Sequence, residues 1–375
     1  MTTADTTGTA LRCILSPSIP YSPRDPARLT FEDYRDGVLG WNRAILARAI
    51  TLIESNRSDH HEMAQELLNQ LLPHTGRSIR IGVTGVPGVG KSALIEALGC
   101  RLTAEGHRVA VLSIDPSSVR SGGSLLGDKT RMVRLSADPN AFIRPSPSGL
   151  VLGGVGRKTR ETMLICEAAG CDVVLIETVG VGQSEVSVAS TTDFLLVLML
   201  AGAGDELQGI KRGLLELADM IAITKADGEN RSRANIAASK YAFAMHLLNS
   251  GEQTPVVTCS SLDGSGIDRI WRIIVEQTHE RERSGVLKAQ RSAQMVKWMW
   301  SLVDQQIHET LQQSDAIRRV AEEAERQVRI GALSAMLGAE AIVCALRYPE
   351  ISGRGGAKKP AASSIEGRLD DRASP

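Results

Sequence analysis

No pair of cysteines in this 375-residue chain has the C-x-x-C spacing. Its six cysteines, Cys13, Cys100, Cys166, Cys171, Cys259 and Cys344, are scattered. Reduced thiols in a cytoplasmic protein are the simplest reading of that pattern. A surplus of charge is also missing. Lys+Arg and Asp+Glu both number 43, for a formal net charge of zero, so charge gives no support for nucleic acid as the main partner. Long apolar runs are absent too. The strongest, residues 194–203, is too short to span a bilayer, so no membrane partner is expected. The first eight residues lack the basic-then-apolar plan of a signal peptide. What remains is ordinary for a soluble globular protein: 42% hydrophobic and 23% charged residues. The length suits one large domain with appendages, or two domains.

Against that plain background one stretch stands out. Residues 85–92 read Gly85, Val86, Pro87, Gly88, Val89, Gly90, Lys91, Ser92, the pattern G-x-x-x-x-G-K-S. An apolar, β-branched run with Ile79, Ile81 and Val83 leads in, and a helical pattern from Ala93 leads out. Strand, glycine loop and helix are the context in which this motif binds phosphate. The glycines permit backbone geometries that turn successive N–H groups toward an anion. The helix beginning near Lys91 adds its positive end. Lys91 is placed to reach the β- and γ-phosphates, and the Ser92 hydroxyl to ligate Mg²⁺.

The rest of the chain alternates. Residues 1–29, rich in Thr, Ser and Pro, read as a flexible leader. Residues 30–78 form a helical extension in which Ile45, Leu46, Ala49, Ile50 and Ile53 recur at helix spacing. A second helix there spans about 58–72 and ends at Pro73. His60 and His61 are adjacent, cannot share a helix face, and read as a solvated helix start. Residues 79–284 alternate buried strands with helices, which implies an α/β fold with a mainly parallel sheet. A strand at 142–147 is expected to be broken by its prolines. Residues 285–347 turn to long helices: an apolar stripe of Met295, Met299, Leu302, Val303, Ile307 and Leu311, with Trp298 and Trp300 adding bulk, then one helical segment over about 317–346. The stripe is expected to pack against its own domain or a second subunit. Residues 348–375 read as a disordered tail, and 365–368 has the form of a protease-cleavage linker.

In such a sheet, ligands bind beyond the carboxyl ends of the strands, and the other motifs sit at such ends. Thr224, Lys225, Ala226 and Asp227 have the form Asn/Thr-Lys-x-Asp, which reads guanine. The Asp227 carboxylate can accept two hydrogen bonds from the guanine edge, a match adenine does not offer. Lys225 would pack its stem over the base. Ser260, Ser261 and Leu262 fit the remaining guanine loop. Asp115, Asp128 and Glu177 are candidate Mg²⁺ carboxylates, since that ion takes oxygen ligands and keeps waters. Gly180 is placed to sense the γ-phosphate. Gln183 either orients water or simply belongs to its loop.

Residues 85–92, 115–118, 127–131, 177–184, 204–211 and 224–227 together resemble the metallochaperone branch of the P-loop GTPases. More closely, they resemble the methylmalonyl-CoA mutase-associated GTPases, which include the human methylmalonic aciduria type A protein. The similarity covers about residues 43–345. It implies a GTPase domain with helical extensions at both ends, a homodimer, and GTP/GDP with Mg²⁺ as ligands. It further implies service to a cobalamin-dependent acyl-CoA mutase, with its adenosyltransferase as a further candidate partner: gating of adenosylcobalamin loading and protection of the enzyme. On this resemblance Lys91, Ser92, Asp115, Asp128 and Glu177 form the phosphate and Mg²⁺ centre, with Lys91, Asp115, Glu177 and Gly180 as the catalytic set. The segment 201–211, with Asp205, Glu206, Gln208 and Lys211, is a third switch facing the partner. Two departures are visible. Thr224 stands where Asn is commoner, which could loosen the tie to the phosphate loop. Ala93 stands where Thr is frequent, while Ser92 keeps the metal hydroxyl.

Two other readings stay open at this stage. A nickel-delivery GTPase for urease or hydrogenase usually carries His-rich or Cys-rich segments, and this chain has neither. An ATPase or kinase linked to basic amino-acid transport is opposed by the Thr-Lys-x-Asp motif.

Overall fold

The computed structural model describes residues 29–55, 57–115, 131–147, 154–178, 188–201, 212–248 and 254–347. The leader and tail expected from the sequence lie outside these residues, apart from Leu29. The chain divides into two compact units, residues 1–149 with 158–281, and residues 150–157 with 282–375.

The first unit opens with three helices, α1 (Phe31–Leu39), α2 (Arg43–Glu54) and α3 (Ser58–Leu71). Each of the first two starts where a side chain can satisfy the free N–H groups of a first turn. Thr30 and Asp33 form a reciprocal capping box on α1. The Asn42 side-chain Oδ1 accepts from the N–H groups of Ala44 and Ile45 on α2. Leu46, Ala49, Ile50 and Ile53 are buried as the spacing predicts, while Ile45 is half-buried. It packs instead on α1, where a Cβ on Gly37 would come within 2.4 Å of the Ile45 side chain. Only glycine allows that approach.

Seven strands follow: β1 (Ile79–Gly85), β2 (Val109–Asp115), β3 (Ala141–Pro147), β4 (Val173–Thr178), β5 (Phe194–Leu200), β6 (Met220–Thr224) and β7 (Val256–Thr258). They form one sheet in the order β3-β2-β4-β1-β5-β6-β7, and every pairing is parallel. Between them run α4 (Lys91–Ala104), α5 (Val133–Ala137), α6 (Gly154–Ala168), α7 (Arg212–Glu216) and α8 (Asn230–Leu248), and α9 (Ile267–Arg283) follows β7. Central strands such as β4 and β5 are buried almost throughout. That explains their continuous apolar runs, because helices cover both faces of such a sheet. The core joins Ile81 and Val83 of β1 to Leu94 and Leu98 of α4, and to Leu175, Leu196 and Ile270.

The prolines do not break β3. It pairs with β2 along its whole length, from Val109↔Ala141 to Asp115↔Pro147. The reason is position: β3 is an edge strand, where a missing N–H leaves no ladder bond unmade. The α2 helix is tied to this edge. Arg43 donates to the carbonyls of Asp138 at 3.0 Å and Ser136 at 3.3 Å, and Arg144 of β3 pairs with Glu54.

The second unit contains α10 (Val286–Gln313), α11 (Asp315–Arg329) and α12 (Ala335–Arg347). The single segment expected over 317–346 is two helices. They part at Gly331, whose φ of 74° a helix cannot continue. Ile317, Ala324, Gly338 and Ala345 are buried there. On α10, Met295, Met299, Trp300 and Ile307 remain exposed, and Leu302, Val303 and Leu311 are half-buried. Among the described residues, then, the stripe is packed only in part. Among the described residues no helix is long and apolar enough to cross a membrane.

Candidate active site

The carboxyl end of β1 passes so close to β5 that a Cβ on Gly85 would sit 2.4 Å from the Leu198 carbonyl oxygen. Gly85 has φ 146°, Gly88 φ 78° and Gly90 φ 101°. The last two face open space, so backbone direction rather than crowding requires them. Val89 is fully buried and pins the loop to the core, while Pro87 and Gly88 are exposed and Val86 half-buried. Helix α4 then begins at Lys91 with Gly90 as its N-cap. A glycine brings no side chain to satisfy the first-turn N–H groups, which leaves them for an anion. The Lys91 ammonium curls back and donates to the carbonyls of Gly85 at 2.8 Å and Val86 at 3.2 Å. A positive charge is thereby held over the loop. Ala93 is exposed on the first turn.

Beside this loop the fold brings Glu177 from the end of β4. Its Oε1 accepts from Ser92 Oγ at 2.7 Å, and its Oε2 from Ser113 Oγ, at the longer distance of 3.4 Å. The β1–β4 ladder ends at Val83↔Glu177. One residue further on, Thr178 Oγ1 and Thr84 Oγ1 bond at 2.9 Å, both fully buried. The two side chains thus keep the strand ends tied where backbone pairing stops. Sequence reading missed Ser113, Thr84 and Thr178. The available signal was a hydroxyl residue near the end of an otherwise apolar strand.

Asp115 is the last residue of β2, so its backbone lies at this same end of the sheet. Its side chain lies outside the described structure. Asp128, Gly180, Gln183 and the third-switch residues Asp205, Glu206, Gln208 and Lys211 also lie outside the described residues. The Ser92 hydroxyl and the Glu177 carboxylate are hard oxygen donors already in contact, which suits Mg²⁺. Among the described residues no three His, Cys, Asp or Glu side chains cluster for a metal.

The base side is built from the ends of β6 and β7. Thr224 Oγ1 donates to the carbonyl of Val89 at 2.7 Å. The looser tie expected from Thr in place of Asn is therefore not seen: the shorter side chain still reaches the phosphate loop. Lys225 takes φ 55°, a left-handed conformation costly for a side-chain-bearing residue. Asn230 Nδ2 supports it by donating to its carbonyl at 2.6 Å. Asp227 Oδ2 accepts from Ser260 Oγ at 2.6 Å. The same Ser260 oxygen accepts from the N–H groups of Leu262 at 3.1 Å and Asp263 at 3.4 Å. One hydroxyl thus fixes both the carboxylate and the turn containing Ser261. The Leu262 side chain is exposed. Gly266 allows the return, since a Cβ there would meet the Thr258 carbonyl oxygen at 2.2 Å. Cys259, beneath the loop, has its thiol pKa pushed up to about 12 by burial.

A second buried polar cluster lies at the amino ends of the strands. Arg80 makes a two-pronged ion pair with Glu167 at 2.7 and 2.9 Å, and Glu167 also accepts from the Gly76 N–H. Arg281 pairs with Asp219 and donates to the Asp193 carbonyl. Arg160 donates to Thr191 Oγ1 at 3.2 Å and to the Ser190 carbonyl at 2.5 Å. Burial, and then repulsion from Arg80, lower its pKa to about 10.

A glycine loop with its lysine, a serine–glutamate pair beside it, and a Thr-Lys-x-Asp turn whose Asp227 is held by Ser260, on one parallel sheet, are the plan of a P-loop GTPase. The chain binds guanine nucleotide and hydrolyses GTP. Residues 46–316 match the family described as methylmalonyl Co-A mutase-associated GTPase MeaB, and the chain belongs to that family. It is 50% identical over 317 residues to a probable GTPase of Mycobacterium tuberculosis, covering 84% of this chain and 94% of the relative. It is 44% identical over 324 residues to the mouse protein named methylmalonic aciduria type A homolog, mitochondrial, covering 83% and 78%. It is 48% identical over 268 residues to the Escherichia coli GTPase ArgK, covering 71% and 81%. A crystal structure described as an LAO/AO transport system kinase superposes with a TM-score of 0.67 at 37% identity, covering 85% of this chain and 98% of that one.

Proposed function

We propose that this GTPase is a metallochaperone for a cobalamin-dependent acyl-CoA mutase, gating adenosylcobalamin loading and protecting the enzyme. The observation that carries this reading is the family match over residues 46–316, which spans every motif of the site. In it Lys91 neutralises charge on the β- and γ-phosphates, and the α4 N-terminus holds them in line. Ser92, Glu177, Asp115 and Asp128 would hold Mg²⁺, which when bound offsets phosphate charge. Thr224 couples base to phosphate loop, and Asp227, held by Ser260, selects guanine. Gly180 senses the γ-phosphate. The segment with Asp205, Glu206, Gln208 and Lys211 carries nucleotide state to the mutase. The exposed stripe on α10 supports a homodimer through residues 285–347. A cytoplasmic location accompanies this reading.

Single-turnover GTP hydrolysis with and without a candidate mutase tests it. The mutase should accelerate hydrolysis, and Lys211→Ala should keep nucleotide binding but lose that acceleration. No acceleration by methylmalonyl-, isobutyryl- or hydroxyisobutyryl-type mutases, and no co-purification with any, would defeat the assignment. A kinase reading takes support from the name of the LAO/AO structure alone. ATP competing with GTP at comparable affinity would favour it.

A further inference from the structure

Helix α8 is apolar on two opposite faces. At about 100° per residue, Ala234, Tyr241 and Met245 lie on one side, and all three are buried. Ile236, Phe243 and Leu247 lie on the other, and they are 59%, 66% and 67% exposed. Residues at i, i+7 and i+11 line up on one helix face, so the exposed three form a single file about 16 Å long. Arg233 and Lys240 share that face and are exposed. The helix has no Asp or Glu, yet carries Arg231, Arg233, Lys240 and His246. In a chain whose charges balance overall, this is a locally positive surface. Its nearest acids in sequence, Asp227 and Glu229, precede the helix, and Asp263 is paired with Arg231.

We infer that this face is a docking surface for an acidic amphipathic helix of a partner protein. A single file of large side chains accepts the ridge of one facing helix. The flanking cations select acids beside the partner's apolar stripe. Helix α3 of a second copy is not the occupant. That acidic helix already buries Leu67 and Leu71 inside its own unit. The surface is also wired to the base site. Asn230 bonds to the Lys225 carbonyl and Arg231 pairs with Asp263, so a partner on α8 bears on both guanine loops.

The test uses the full-length chain and a display library of amphipathic helical peptides about five turns long. Selected peptides should carry Asp or Glu beside an apolar stripe. Fluorescence anisotropy should show their affinity falling about tenfold or more for Phe243→Ser and for Lys240→Glu. Replacing the matched acid of the peptide by Lys should restore binding to Lys240→Glu. Both variants should melt and hydrolyse GTP as the parent does, since both positions are exposed. Bound peptide should change the release rate of a fluorescent GDP analogue. Selected peptides without acids, or binding indifferent to both variants, overturn the inference. So does a parent dimer that dissociates in Phe243→Ser, which would assign the face to a second copy. Binding to phosphatidylserine vesicles in place of peptides, lost in Phe243→Ser, would assign it to a lipid surface and equally overturn it.

Discussion

The two ends of the seven-stranded sheet both bury charge, and they do so in different ways. At the amino ends two arginines meet fixed opposites: Arg80 with Glu167, Arg281 with Asp219. At the carboxyl ends Lys91 donates to the carbonyls of Gly85 and Val86, and Glu177 accepts from the hydroxyls of Ser92 and Ser113. A hydroxyl or a carbonyl can exchange its partner for phosphate, metal or base at modest cost, whereas a buried ion pair cannot lose a member without stranding the other. Burial and charge therefore do not by themselves mark the working end. What marks it is hydroxyl and carbonyl partners that a ligand can replace, at the end where parallel strands point their loops.

That contrast can be broken at its strongest point by Asp227→Asn. Its preference for GTP over xanthosine triphosphate should reverse, a change of about 10⁴ in discrimination, read by competition binding. A variant with the parent's preference would remove Asp227 from the base site. Lys91→Ala comes next. It should lower kcat/KM for GTP by about 10³, while calorimetry of the nucleotide-free protein shows nearly the parent's melting temperature. A large loss of stability with retained turnover would place Lys91 with the structural charges instead. At the other end Glu167→Gln should do the reverse. It should cost about 3 kcal/mol in urea unfolding by stranding Arg80, and leave the turnover of folded protein unchanged; a selective loss of turnover would contradict the division between the two ends. The smallest effect belongs to Thr178→Val, which leaves Thr84 without its hydroxyl partner. It should cost about 1 kcal/mol, with Thr178→Ser recovering most of it. A loss in Thr178→Ser with none in Thr178→Val would show that the methyl group, not the hydroxyl bond, matters.

Much of the carboxyl end was legible in the sequence. The glycine loop, Lys91 and Ser92 are contiguous, and strand and helix periodicity on either side is local. Asp227 is read from a four-residue motif. The amino end was not legible, because Arg80 and Glu167 are 87 positions apart and belong to no motif. Ser113 and Thr178 were hidden for a related reason. A hydroxyl in an apolar run gives no sign of which strand will lie beside it. The break at Gly331 was missed because helix spacing on both sides of it continues in phase closely enough to read as one segment.

By itself, then, the sequence determined the parallel α/β plan, the phosphate loop and the guanine motif, since each rests on residues close along the chain. Tertiary structure alone decided that Glu177 meets Ser92 across 85 positions, that Ser260 holds Asp227, and that Thr224 still reaches Val89. It also decided that Pro145 and Pro147 fall on an edge where they do no harm, and that α8 turns a second apolar face outward. The physical reason is the strand order. Placing β1 between β4 and β5, and β6 beside β7, fixes which strand ends become neighbours. Local periodicity sets the period of each element and leaves that order open.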